Sequence, residues 1–292
     1  MIREALKTKQ KLINDRLAVL LKSDRLEHKT LYDAMNYSLL AGGKRIRPFL
    51  FLTVLDTLGV DSSRCVDAAC ALECVHTYSL IHDDLPAMDN DDYRRGRLTN
   101  HKVYGAGMAT QAGDGLLTFA FQLLAEQKQI PADVRIELID ILARAAGPEG
   151  MVGGQAQDME AEGKPLTLTQ LKTLDACKTG CLLAAPVSMA CAVAGASLKD
   201  RLLLETFAAH LGLLFQITDD LLDEKGNLED MGKMPGQDEK DHKSTFVTIL
   251  GVEKAEKYAE EEAELAKEAL AKLPFDSTIL YELTELMVHR KK

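Results

Sequence analysis

Hydrophobic residues recur at helical spacing along most of the chain, and strand-like alternation is nowhere sustained. Residues 12–23 form an amphipathic pattern, and residues 30–41 and 47–58 continue it in the same style. Residues 64–85 are apolar on most faces, which predicts a central, buried helix. The N-terminal third of the chain is therefore expected to be a set of packed helices.

Glycine and proline residues divide the rest of the chain into intervals of helical length. Residues 252–273 are rich in alanine, glutamate and lysine, which predicts an exposed amphipathic helix. No internal repeat, low-complexity tract or interdomain linker interrupts this pattern. We therefore expect an all-α protein in which residues 1–292 form a single large helical domain.

Composition and charge exclude several classes of function. The chain is 46% hydrophobic and 27% charged, as soluble globular proteins are, and its net charge of −10 argues against a nucleic-acid binder. The longest apolar stretch, residues 181–196, is short for a membrane span, so a buried helix is expected instead of integral membrane association. The N-terminus lacks the apolar core of a signal peptide, and the 6 cysteines show no zinc-type spacing. These features predict a cytoplasmic protein with reduced thiols.

Two acidic runs suggest where the chemistry lies. The first is DDLPAMDNDDYRRG at residues 83–96, and the second is QITDDLLDEKG at residues 216–226. Asp219 and Asp223 are four residues apart, so both carboxylates project from one helix face and could share a hard cation such as Mg²⁺. Either run alone could equally be a solvated helix end.

The spacing within the first run depends on a proline. Asp83 and Asp89 are six residues apart and would point in different directions on an ideal helix. Pro86 lies between them, removes a helix hydrogen bond and clashes with the preceding turn. We therefore expect the helix to distort or end there, which can bring Asp89 back beside Asp83.

The arginines that follow the first run narrow its interpretation. A calcium loop counted from Asp91 fails because Arg95 stands at a ligand position. Bare chelation has no use for Arg94 and Arg95, whereas magnesium combined with guanidinium binds phosphate. The two acidic runs are interpreted as two walls of one diphosphate site.

Other polar residues stand where such a site would need them. Lysines and arginines occur in GGKRIRP at residues 42–48, in a mid-chain KTG triplet and in a glycine- and proline-containing loop that could close over a substrate. These cations are Lys44, Arg45, Arg47, Lys178, Lys233 and Lys243. His76 lies two helical turns before Asp83, although a hydrogen-bonded core histidine is the alternative, and Gln216 lies on the acidic face of Asp219.

Together these motifs resemble those of the trans-isoprenyl diphosphate synthases, the polyprenyl synthetase family, and most closely those of its bacterial farnesyl diphosphate-producing members. The resemblance covers about residues 30–250. It rests on GGKRIRP at 42–48, DDLPAMD at 83–89 followed by RRG, KTG at 178–180, FQ at 215–216, DDLLD at 219–223 and the GK…K loop at 232–243. It implies the isoprenoid synthase fold, in which helices surround a central substrate cavity, and a homodimer.

The resemblance also implies a reaction and a set of residues. The reaction is the magnesium-dependent, head-to-tail condensation of isopentenyl diphosphate with dimethylallyl or geranyl diphosphate, giving C15 farnesyl diphosphate and pyrophosphate. Three magnesium ions per site are implied, with the metal-site residues Asp83, Asp84, Asp89, Asp219, Asp220 and Asp223. The implied isopentenyl diphosphate ligands are Lys44, Arg47, His76 and Arg95. The implied allylic diphosphate ligands are Arg94, Lys178, Thr179, Gln216, Lys233 and Lys243, of which the first four are also catalytic.

Product length is the remaining question. The resemblance implies that Tyr78 and Ser79, just before the first motif, form the floor of the cavity. A tyrosine there favours a C15 over a C20 product, although Tyr78 could be merely a core aromatic. A geranylgeranyl diphosphate synthase is the main alternative, and a non-catalytic subunit, a terpene cyclase and an acidic metal buffer are weaker ones.

Overall fold

A computed structural model describes residues 1–225 and 244–290, and the described residues are predominantly helical, as predicted. The α-helices are α1 (Ile2–Leu20), α2 (Lys29–Leu39), α3 (Ile46–Thr57), α4 (Val66–Asp83), α5 (Asn100–Tyr104), α6 (Ala106–Ala125), α7 (Ala132–Ala146), α8 (Met151–Ala161), α9 (Leu168–Asp175), α10 (Cys181–Ala194), α11 (Leu198–Lys225), α12 (Phe246–Leu250), α13 (Val252–Ala271) and α14 (Thr278–Val288). Short 3₁₀ segments cover Leu26–His28 and Ser62–Cys65, a π-helix covers Ala176–Gly180, and the strands are β1 (Tyr93–Arg94) and β2 (Arg97–Leu98).

The periodicity located the helices better than it located their ends. Helix α1 begins at Ile2, about three turns before the predicted start at residue 12, and buries Ile13 and Leu17. Helix α4 is buried along most of its length, as the apolar pattern predicted. Helix α13 is amphipathic as expected, and its buried face is formed mainly by small alanines such as Ala255, Ala259 and Ala263.

The two short strands were not expected from the sequence. They pair antiparallel, with Tyr93 opposite Leu98 and Arg94 opposite Arg97. The connecting residues Arg95 and Gly96 both have positive φ angles, 52° and 72°, as a tight two-residue hairpin turn requires. Strands of two residues are too short to show alternation, so only the glycine after the arginine pair signals this turn in the sequence.

The chain divides into two compact units. The N-terminal unit comprises Arg3–Leu52 and Asp61–Ile139, and the C-terminal unit comprises Met1–Ile2, Thr53–Val60 and Asp140–Lys292. The expectation of one domain over residues 1–292 stays a prediction.

Helix α4 is the centre of the N-terminal unit, where it packs closely against α6 and also contacts α2. The approach of α6 depends on a glycine, because a Cβ at Gly113 would collide with the His82 ring. Gly115, also on α6, would place a Cβ 3.0 Å from the sulfur of Met35 on α2. Small residues on α6 thus allow the helix carrying the first acidic run to lie in the core.

A buried arginine ties three helices of this unit together. Arg45 is 3% exposed and has a positive φ of 54°. Its guanidinium donates to Glu73 on α4 (2.5 Å), to the Leu39 carbonyl at the end of α2 (2.7 Å) and to Asn14 on α1 (2.9 Å). Arg45 is therefore a structural residue, although the sequence placed it among the cations of a binding loop.

In the C-terminal unit, α11 packs against α13 and α10. The face that it buries includes Phe207, Leu211, Leu214 and Ile217. The second acidic run lies toward the C-terminal end of α11. The long packed helix therefore supports the polar residues at its end.

One stretch of the described residues, Leu168–Ala194, is long and apolar enough by composition to cross a membrane. Half of its most apolar window is buried within the protein, and core helices of soluble proteins satisfy the same criterion. The stretch is divided between α9, the π-helix and α10, with Pro186 inside α10. The expectation of a buried helix at residues 181–196 agrees with the burial of most of α10.

We predict that Arg45→Met destabilises the protein by about 3–5 kcal/mol, because it leaves the Glu73 carboxylate buried without its cation. Urea-induced unfolding measures this loss. The neighbouring substitution Lys44→Ala alters an exposed side chain and should change the free energy of unfolding by less than about 0.5 kcal/mol. Equal effects of the two substitutions would contradict the structural role of Arg45.

Candidate active site

The first acidic run closes into a tight turn after α4. The helix ends at Asp83, and the backbone N–H of Asp89 donates to the Asp83 carbonyl at 2.9 Å. The N–H of Asn90, whose φ is 53°, donates to the Leu85 carbonyl at 3.1 Å. This geometry confirms that the helix ends near Pro86 and that the backbone of Asp89 returns to Asp83.

Asp84, the second aspartate of the run, faces the protein interior. It is 3% exposed, and its two oxygens accept from Nε of Arg94 at 2.8 and 2.9 Å, while Nη2 of Arg94 lies 2.6 Å from Oδ1. Burial raises the pKa of Asp84, and the hydrogen bonds and charge of Arg94 oppose that rise. The ion pair with Asp84 fixes the position of the Arg94 guanidinium. Two other aspartates of the run are more accessible, since Asp83 is half-buried and Asp89 is exposed.

Arg95, at the turn of the hairpin, lies on the glycine pair of GGKRIRP. Its Nη1 donates to the Gly42 carbonyl, and a Cβ at Gly43 would stand 2.7 Å from its Cζ. Gly43 also has a φ of 119°, which non-glycine residues rarely adopt. The hairpin and this loop therefore bring Arg95 near the segment that carries the exposed Lys44.

His76 lies within this group of cations. Burial is the main cause that holds its pKa well below the ordinary value, and the charges of Arg47, Arg95 and Arg94 add to the effect. The imidazole is therefore neutral near pH 7, and one ring nitrogen can donate a hydrogen bond without adding charge.

The two residues predicted to form a cavity floor lie on α4. Tyr78 is 5% exposed, and burial, followed by the charge of Asp83, raises its pKa to about 12. Its ring meets the His82 ring edge-on, with centroids 5.5 Å apart. Ser79 is half-buried and donates to the His76 carbonyl at 2.9 Å. Tyr78 is thus a neutral, packed phenol, and its role in product length stays a prediction.

In the C-terminal unit, the KTG triplet lies in the π-helix Ala176–Gly180. Two glycines allow other helices to approach it: a Cβ at Gly154 would collide with the Lys178 backbone, and one at Gly212 would lie 3.3 Å from the Cα of Gly180. Single π turns inside helices are frequent at functional sites because they redirect side chains. Here the turn sets the direction of Lys178 and Thr179.

Lys178 is paired with a residue that the sequence did not single out. Its ammonium group lies 2.6 Å from Oδ2 of Asp158 on α8, and both side chains are mostly buried. Asp158 lies one turn after Gly154, so the same face of α8 provides the close contact and the carboxylate. The spacing of four residues between Gly154 and Asp158 is the only feature of the sequence that points to the contact with Lys178.

The second acidic run divides its carboxylates between different partners. Asp220 is 6% exposed and accepts from Nε2 of Gln216 at 2.9 Å and from the backbone N–H of Phe246 at 2.7 Å. Gln216 in turn accepts from the Thr179 hydroxyl at 3.2 Å. These contacts join the KTG triplet, the FQ pair and the second acidic run into one hydrogen-bonded group.

Asp219 forms an ion pair with Arg290, which was not predicted from the sequence. Nη2 of Arg290 also donates to the Phe215 carbonyl at 3.0 Å, and the guanidinium lies over the Phe215 ring, 4.4 Å from its centroid. Asp223 is buried, and within the described ranges its Oδ1 has no hydrogen-bond partner. Arg290 follows the last helix and belongs to no motif, so only the structure reveals it.

The carboxylates fit magnesium by donor type, since hard cations prefer carboxylate oxygens. Residues 1–225 and 244–290 nevertheless contain no preassembled group of three or more acidic, histidine or cysteine side chains that could hold a metal ion. The buried Asp84 and Asp220 are occupied by protein donors. Lys233 and Lys243 lie outside the described residues.

We predict that Gly154→Ala destabilises the protein by about 1–3 kcal/mol, because the added methyl group forces the π-helix away from α8. Thermal unfolding measures the effect. Gly107 on α6 is a matched control, since a Cβ there meets nothing within 4 Å, and Gly107→Ala should be neutral or slightly stabilising. A neutral Gly154→Ala would refute the close contact.

Known proteins resemble this chain in both sequence and fold. The polyprenyl synthetase family model matches residues 28–285. A farnesyl diphosphate synthase from Geobacillus stearothermophilus is 50% identical over 270 residues, covering 91% of each chain. A geranylgeranyl diphosphate synthase from Cyanophora paradoxa is 44% identical, covering 89% of this chain and 87% of that protein.

A solved structure extends the likeness to three dimensions. The geranyltransferase from Helicobacter pylori, complexed with magnesium and isoprenyl diphosphate, aligns with a TM-score of 0.86 and 34% identity, covering 97% of this chain and 96% of that one. Family model, relatives and fold agree with the resemblance carried by the motifs. The chain belongs to the polyprenyl synthetase family.

Proposed function

We propose that this protein is a prenyltransferase that condenses isopentenyl diphosphate with dimethylallyl or geranyl diphosphate and releases farnesyl diphosphate and pyrophosphate. The observation that carries the proposal is the placement of Arg94, which Asp84 fixes in position directly after the turn that joins Asp83 and Asp89. Acidic residues beside a fixed guanidinium suit a metal-bound diphosphate. The similarity to farnesyl diphosphate synthases supports the choice of substrate.

Asp83, Asp89 and Asp219 would hold magnesium, with three ions per site as part of the proposal. Magnesium would neutralise the charge that develops on the diphosphate leaving group. Asp84, Asp220 and Asp223 would support the site from buried positions. Asp219 would release Arg290 and bind the metal ion instead.

Cations of the protein would bind the two substrates. Arg94 and Lys178 would bind the allylic diphosphate, and Asp84 and Asp158 orient them. Lys233 and Lys243 would bind the same diphosphate. Lys44, Arg47 and Arg95 would bind isopentenyl diphosphate, and the neutral His76 would donate a hydrogen bond to it. Binding both substrates places the reacting carbons together and lowers the entropic part of the barrier.

Thr179 and Gln216 would face the allylic carbon that becomes positive. Both side chains carry oxygen, and the Thr179 hydroxyl already donates to Gln216, so the lone pairs of the two oxygens are oriented by one hydrogen bond. Such preorganised dipoles stabilise developing charge without further rearrangement. The reaction needs no nucleophilic side chain.

The assay is incubation with magnesium, isopentenyl diphosphate and either dimethylallyl or geranyl diphosphate, followed by mass spectrometry of the dephosphorylated products. We expect farnesol from both starters and none when the metal is chelated. Absence of condensation with both starters would refute the proposed function. Sedimentation would test the predicted homodimer, and the cytoplasmic location also stays a prediction.

Tyr78 distinguishes a C15 product from the geranylgeranyl alternative. We expect Tyr78→Ala to extend the product toward C20, because removal of the buried ring opens space before the first acidic run. Tyr78→Phe is the matched control, since it keeps the ring and should keep the C15 product. A C15 product from both variants would exclude Tyr78 as the determinant of length.

A further inference from the structure

The hydrogen bonds of Asp220 define the orientation of Gln216. An ionised carboxylate can only accept hydrogen bonds. Oδ1 of Asp220 accepts from the amide of Gln216, which therefore must present its nitrogen to Asp220. The oxygen of the same amide then faces Thr179, whose hydroxyl donates to it. An amide with a neutral amide partner could rotate by half a turn and reverse this arrangement.

The other oxygen of Asp220 holds the chain where α12 begins. Oδ2 accepts from the N–H of Phe246, the first residue of that helix. First-turn N–H groups lack partners within their own helix, and this one is buried, so an acceptor from elsewhere is needed. Thr245 and Thr248 form a capping box around the same turn and leave the Phe246 N–H to Asp220.

The surroundings of Asp220 favour these hydrogen bonds over a role as a metal ligand. Asp220 is 6% exposed, and each of its oxygens already accepts from a protein donor at 2.7–2.9 Å. Its neighbour Asp219 is half-exposed and lies at the surface of the unit, where a metal ion can approach. Adjacent carboxylates on α11 thus have different environments.

We propose that Asp220 is a positioning residue rather than a magnesium ligand: it fixes the amide of Gln216 with its oxygen toward Thr179 and ties the second acidic run to the start of α12. This inference rests on the proposed function, because it assigns the Gln216 oxygen to the developing cation. Loss of the Asp220 acceptor lets the amide reverse and presents N–H where an oxygen is needed.

An exchange of the two side chains tests the orientation. In Asp220→Asn the new amide can donate toward residue 216, which favours the reversed Gln216. In Gln216→Glu two carboxylates meet at hydrogen-bond distance. The double variant Gln216→Glu/Asp220→Asn keeps the net charge and restores every hydrogen bond. In it, the new amide at position 220 donates to the new carboxylate at position 216, and its oxygen still accepts from the N–H of Phe246.

We expect each single variant to lower kcat by about 10–100-fold, because each removes a hydrogen-bond partner that orients a site residue. The KM and the magnesium concentration that gives half-maximal rate should change little. The double variant should recover kcat to within about fivefold of the wild type. A double variant no faster than Asp220→Asn overturns the inference. So does a large increase in the magnesium requirement of Asp220→Asn, which a ligand would produce.

A measurement without substrate separates this inference from the proposed function. In the substrate-free protein, amide hydrogen exchange at Phe246 should be faster in Asp220→Ala than in the wild type, and close to the wild type in Asp220→Asn, which keeps an acceptor. Unchanged exchange in Asp220→Ala overturns the link to α12. Asp200→Asn is the control for charge removal, because Asp200 lies in the first turn of α11, roughly five turns from Asp220. It should leave both kcat and the amide exchange at Phe246 unchanged. Absence of condensation by the wild type would instead refute the function.

Discussion

The N-terminal unit depends on one buried guanidinium. Taking the charge of Arg45 out of water is costly, and the structure offsets that cost with a carboxylate on α4, a carbonyl at the end of α2 and an amide oxygen on α1. These contacts hold the loop between α2 and α3 in a conformation with positive φ at Gly42, Gly43 and Arg45. That conformation leaves Lys44 exposed and allows the Arg95 guanidinium to lie against Gly43.

The same division between inward and outward charges recurs in both acidic runs. Asp84 and Asp220 are buried and accept from protein donors, whereas their neighbours Asp83 and Asp219 are only partly covered. A buried carboxylate with fixed partners orients another side chain, and a partly covered one can exchange its partner for a metal ion. Each pair of adjacent aspartates therefore combines a buried support with a more accessible carboxylate that we propose as a magnesium ligand, and this division accounts for the density of charge in the runs.

Part of the local geometry of the candidate site could be predicted from sequence because its signals are local. Helical periodicity located α2, α3 and α4, and Pro86 accounted for the return of Asp89 to Asp83. The hairpin that carries Arg94 and Arg95 was missed because its strands are two residues long.

Other parts could not be predicted because they are formed by contacts between distant segments. Asp158 pairs with Lys178 across 20 residues, and Arg290 reaches Asp219 across 71. The inward orientation of Arg45 depends on Glu73, which belongs to no motif and lies in an otherwise apolar part of α4. Periodicity shows which residues share a face, but not which polar side chain on another helix will meet them.

We infer that the acidic runs hold magnesium and that the metal carries the diphosphate. Isothermal titration calorimetry with inorganic pyrophosphate, with and without magnesium, measures whether diphosphate binding requires the metal. We expect the wild-type protein to bind pyrophosphate only when magnesium is present. Asp83→Ala and Asp219→Ala should lose this binding, and Asp140→Asn, an exposed control, should keep it. Equal binding without magnesium, or unchanged binding in Asp83→Ala, would show that the acidic runs do not bind diphosphate through the metal.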